Sequence, residues 1–159
     1  MHRITQLTPG YLNKMIQEGT DAVRHAIRLC GDPTRQGGYF CIADGETGFP
    51  LVITAIGTVA EEKAEKYLAL CQEKARRLAR NQTHLSSWES RDPEENEWAG
   101  AVRGNRLIGS FSALPELWDE AAMLRWAFRT SELTEGQAMR IASISGNTNF
   151  YLLQQSARR

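Results

Sequence analysis

Apolar residues recur at helical spacing through Leu12, Met15, Ile16, Ala22, Val23, Ala26, Ile27 and Cys30. Thr8 and Pro9 precede that run as a side-chain cap and a fixed first φ, and Gly31 and Pro33 follow it as a stop. The pattern predicts a first helix, with Gly19 as a weak point or a place of close packing. Two short β-favouring runs come next, over 39–43 and 51–56, joined by the glycine-bearing loop 44–48. They read as an antiparallel hairpin, and Pro50, which has no amide to donate, belongs at the start of its second strand.

Thr58 and Glu61 have the spacing of a capping box. The helix it opens runs to about Asn81, with Ala60, Ala64, Tyr67, Leu68, Cys71, Ala75, Leu78 and Ala79 on one face. Glu62, Lys66, Glu73, Lys74, Arg76, Arg77 and Arg80 make up the other, which reads as solvated. Residues 82–97 are polar and read as a loop that is mobile or ordered by a partner, with His84, Leu85 and Trp88 as anchors. Gly104-Asn105 marks a two-residue turn in a second hairpin, whose last strand, 107–113, carries Gly109 as a bulge or a close approach. Leu114-Pro115 leads into a helix with Leu117, Trp118, Ala121, Ala122, Arg125 and Trp126 on one stripe. Thr134 and Gln137 cap another, which Gly146-Asn147 ends; the pattern leaves 150–159 unplaced.

The predicted fold class is therefore α+β, in the order α-β-β-α-β-β-α. Two local hairpins form a four-stranded antiparallel sheet with helices packed on it and an extra C-terminal helix. The 159 residues suit a single domain, with 1–131 as its core and 132–159 as a C-terminal helical extension.

Composition narrows the partners. Nineteen Lys and Arg against nineteen Asp and Glu leave no field to collect nucleic acid, and near-neutrality fits a homo-oligomer. No run approaches ~18 uninterrupted apolar residues, so no membrane span is expected. The opening MHRITQLTPGYLNK lacks the apolar core of a secretory signal. Cys30, Cys41 and Cys71 are odd in number, form no C-x-x-C pair and read as buried reduced thiols. Together these features predict a cytoplasmic protein.

The chemistry-bearing residues are sparse. His2 is terminal, His25 falls on a polar helix face and His84 lies in the charged loop, so none is marked as a metal ligand. Ser110 and Ser112 lack the G-x-S-x-G context of an activated nucleophile. Glu61, Glu62 and Glu65 are explained by the helix dipole, and Asp92, Glu94, Glu95 and Glu97 by solvation. No catalytic residue and no metal ligand is assigned. Trp88 and Trp98 flank the acidic loop as candidate interface anchors. Lys63, Arg106, Gly109, Ser110 and Ser112 are the candidate small-ligand site, a polar floor suited to an anion or a polar group.

Three stretches resemble the GlcG/HbpS-like family: Ala43-Asp44-Gly45 after the first strand, Glu62-Lys63-Ala64 in the long helix, and the hairpin from Val102 to Gly109. The resemblance spans roughly 4–128 and implies a profilin-like fold, closed oligomers, and haem or another small molecule as ligand. Phe111 or Ala113 stands where that family has a further glycine, so Phe111 closes the site if it points inward. The leading reading is a non-enzymatic domain that self-associates and binds a small ligand. The alternatives are a small enzyme acting on a metabolite between the second hairpin and the long helix, and a structural or protein-interaction module without a ligand.

Overall fold

The computed structural model describes residues 7–158. Their elements run α1 (Pro9–Cys30), β1 (Gly37–Asp44), β2 (Pro50–Gly57), α2 (Glu61–Arg80), β3 (Ala101–Arg103), β4 (Leu107–Ser112), α3 (Glu116–Arg129), α4 (Glu135–Ser145) and α5 (Thr148–Ala157). The mixed α+β class and the antiparallel sheet are as expected, with strand order β2-β1-β4-β3. The two hairpins join through β1 and β4, with Phe40 opposite Phe111 and Cys41 opposite Ser110.

Strand alternation then decides the layers. Cys41, Ala43 and Ile108 face α2, where they pack on Cys71, Ala75 and Leu78. Phe40, Ile42 and Phe111 face the other way, into the larger core built with α1 and α3. The sheet is covered on both faces rather than one. Gly109 is a close approach and not a bulge: a Cβ there would stand 2.5 Å from the Trp126 ring. Gly19 likewise makes room for Phe40.

Local signals fixed several ends. Thr8 caps α1 by accepting from the Tyr11 amide at 3.2 Å, and Gly31 ends it at φ 68°. The Thr134–Gln137 capping box opens α4 and Gly146 closes it. Pro50 begins β2.

Four expectations need correction. Thr58 does not cap α2, which starts from Ala60 without a side-chain cap, because the Thr58 amide is still tied to Gln36 O at the sheet's end. The second hairpin turns at Asn105-Arg106, one residue later than expected. Gly104 still pairs with Leu107, and the Glu132 carboxylate accepts from the Arg106 and Leu107 amides at 2.8 and 2.7 Å, so no positive-φ pair is needed. Lys74 and Arg77, placed on the solvated face, are 1% and 3% exposed. The unplaced tail forms α5, so two helices follow α3, and both pack on it.

Arg77 also explains the 82–97 segment. Its guanidinium holds Glu73 at 2.9 Å and donates to Ser87 O at 2.8 Å, Ser90 Oγ at 2.6 Å and Trp98 O at 2.5 Å. The segment is thereby pinned by its own chain through two short 3-10 turns, Ser87–Ser90 and Pro93–Glu95. Beneath it, the buried Glu120 carboxylate accepts from Ser86 Oγ, Ser145 Oγ and Asn147 Nδ2, joining α3 to this segment and to the α4–α5 corner. Burial raises the Glu120 carboxyl above the ordinary range, against those three donors.

Candidate functional site

A cleft of about 570 Å³ opens between the first half of α2 and the turn from β4 into α3. Tyr67, Leu70, Trp98, Leu114, Leu117 and Trp118 give it apolar walls. Arg35, Lys63 and Lys66 stand at its rim, Asn149 reaches it from the first turn of α5, and Lys74 and Asp119 lie at its buried end.

The buried end is an ion pair. Lys74 Nζ donates to Asp119 Oδ2 at 3.0 Å and to Phe111 O at 2.9 Å. Gly100 leaves space for it, since a Cβ there would lie 2.6 Å from Nζ. Asp119 Oδ1 accepts the Leu114 amide at 2.9 Å, so the carboxylate ties the β4–α3 turn to its own helix. Burial raises the Asp119 carboxyl to about 6, against the pull of Lys74 and the turn amides. Glu116 is neutralised in turn. Against a burial that raises it, the Glu116 carboxyl is held below its usual range by Arg91 and by the Ala99 amide.

Of the expected ligand residues, the structure brings Lys63 and Ser112 together in the cleft. Ser112 is only 2% exposed, and its hydroxyl has no hydrogen-bond partner among the described residues. Ser110 also faces α2 but is sealed beneath it, its hydroxyl buried without a partner among the described residues. Gly109 lies on the other face of the sheet against Trp126. Arg106 is at the far end of β4, where it approaches Glu132 at 3.7 Å and donates to the Tyr11 hydroxyl. Phe111 points away into the α1–α3 core and leaves the cleft open; Ala113 lines it instead.

Trp98 lines the cleft, with its indole N–H on Asn96 Oδ1 at 2.7 Å. Trp88 is stacked under Arg91 at 4.6 Å. Both tryptophans thus have partners within the chain. His25 is engaged with Ser156 Oγ at 2.8 Å, and His84 Nδ1 is buried without a partner among the described residues. His2 lies outside the described residues.

Sequence reasoning missed Lys74 and Asp119. The signal was present for Lys74: Tyr67, Cys71, Lys74 and Leu78 follow one another at the four- and three-residue steps of a buried helical stripe. Asp119 falls in the first turn of α3, where an acidic residue usually answers the dipole from the surface. Nothing local distinguished it.

Haem, the ligand that the family resemblance implies, fits this cleft poorly. Its lining includes no histidine, cysteine or methionine; Tyr67 and the committed Lys74 are the side chains able to approach an iron. Among the described residues no group of three His, Cys, Asp or Glu could hold a metal ion, and no helix is long and apolar enough to cross a membrane. No protein-family model, curated protein or solved structure matches the chain.

Proposed function

We propose that the protein is a non-enzymatic domain that binds a small molecule in the cleft between α2 and the β4–α3 turn. The observation that carries this reading is Ser112. The hydroxyl of a nearly buried serine is ordinarily satisfied by its own protein; this one makes no hydrogen bond among the described residues and stands at the edge of an aromatic-walled recess. Small-ligand sites combine such apolar walls with a few placed polar groups. Among the described residues no base hydrogen-bonds the Ser112 hydroxyl, as the activated serine of acyl transfer requires. The test is a thermal-shift screen of small metabolites on the full chain. Binders should lose about tenfold in affinity in Trp118→Ala, the loss of a stacked aromatic contact. Binders indifferent to that substitution would place the site elsewhere.

Self-association is a second reading, favoured by Met139 and Ile144 on α4 and Tyr151 and Leu152 on α5, which are large apolar residues left exposed. Light scattering should then give a mass above 17.9 kDa, and a monomer at micromolar concentration removes this reading. The buried free thiols of Cys41 and Cys71 support a reducing compartment such as the cytoplasm.

A further inference from the structure

The charges around the cleft do not cancel. Asp119 is spent on Lys74 and on the Leu114 amide. Both oxygens of Glu116 are spent on Arg91, in a two-pronged pair at 2.8 and 2.7 Å. Arg35 has Asp32 at 3.5 Å and braces the turn by donating to Ala113 O at 3.1 Å. Lys63 and Lys66 remain. They stand three residues apart, hence on one face of α2, and among the described residues neither forms an ion pair; Asp32, held by Arg35, acts on Lys63 only through space.

We infer that the ligand is a flat apolar molecule bearing one anionic group, a carboxylate or a phosphate monoester, received by Lys63, Lys66 and the Ser112 hydroxyl with its body between Trp98 and Trp118. This inference rests on the cleft being the binding site. Two ammonium groups outside any close ion pair, beside an unused hydroxyl donor, supply what a desolvated anion requires, and no carboxylate lining the cleft is unspent to attract a cation. The half-buried indoles supply the surface that a planar body covers.

The experiment is a set of ligand-observed NMR titrations of the full chain at low ionic strength. The probes are 4-nitrobenzoate, 4-nitrophenyl phosphate, 4-nitrobenzamide and 4-nitrobenzylamine, which share one ring and differ in charge. At least one anion should bind about tenfold tighter than the amide, the scale of a pair of partly screened charge contacts. The tighter of the two anions identifies the headgroup. In the Lys63→Gln/Lys66→Gln variant, whose substitutions lie at the rim and leave the core intact, that preference should fall below about threefold while the amide's Kd stays unchanged. If the amide binds as tightly as both anions, or the double variant keeps the preference, the anionic assignment is overturned. Loss of amide binding in Trp118→Ala would then still uphold the cleft. If no probe of any charge binds, both readings are overturned.

Discussion

Replacing Lys74 by Met tests whether the buried pair organises the cleft. The lysine and Asp119 side chains are each 2% exposed, and Nζ makes two hydrogen bonds, to Asp119 and to Phe111 O. Removing one member of such a pair strands the other charge in a medium that cannot solvate it, at a cost of about 3–5 kcal/mol. With an m-value of about 2 kcal/mol/M, a loss of about 4 kcal/mol lowers the urea midpoint at pH 7.5 by roughly 2 M. The cost should shrink near pH 5. Burial already raises Asp119 to about 6, so below that pH the carboxyl is mostly neutral in the wild type and little charge remains to strand. The double variant Lys74→Met/Asp119→Leu should recover most of the loss, because two apolar side chains replace two desolvated ions. Urea denaturation followed by far-UV circular dichroism at both pH values measures all three. A Lys74→Met cost under about 1 kcal/mol at pH 7.5, or a double variant no more stable than the single one, would refute the account.

Three further outcomes follow from the same geometry. Asp119 has a folded pKa of about 6 against an ordinary 3.8, so the folded state binds its proton more tightly; its contribution to stability is fully present below about pH 4 and falls by roughly 3 kcal/mol as pH rises through 6. Asp119→Asn should flatten that part of the stability–pH curve, and an unchanged slope would show that Asp119 is not its source. Gly109→Ala drives a methyl into the Trp126 ring and should cost about 1–3 kcal/mol in thermal or urea unfolding while leaving ligand affinity unchanged, since it lies across the sheet from the cleft. Arg77→Ala releases Ser87, Ser90 and Trp98 together and should raise amide hydrogen exchange across 82–98 by an order of magnitude or more, whereas unaltered protection there would mean that the segment is held by other contacts.

Two helices were legible because they carry their own punctuation: Thr8 and Gly31 bound α1, and Thr134 and Gly146 bound α4. The hairpins were legible for the same local reason. Exact turns were less so. Asn105 carries the preference for the expected turn, yet the Glu132 carboxylate, 26 residues beyond Arg106, selects a different one by accepting two amides at once. A long-range acceptor of that kind leaves no mark near the turn itself.

The candidate site was half legible, and strand geometry explains which half. A run such as Gly109-Ser110-Phe111-Ser112 looks like one surface when written as text, but successive side chains of a strand point to opposite layers. Ser110 and Ser112 therefore share a face, while Gly109 and Phe111 belong to the core beneath α3. Along that face depth separates the pair again, since the Ser110 hydroxyl is sealed from solvent while Ser112 lines the cleft. Arg106 is excluded by distance, because six residues of extended chain from Ser112 span roughly 20 Å. The cleft thus takes one residue from the strand, Ser112, and draws the rest from α2, the β4–α3 turn and α3. Lys74 belongs to it for the reason Arg106 does not: a helix returns a residue to the same face every three or four positions, so Lys63, Tyr67, Leu70 and Lys74 line a single groove. In this fold the long helix is the element on which adjacency in sequence steps becomes adjacency in a binding surface.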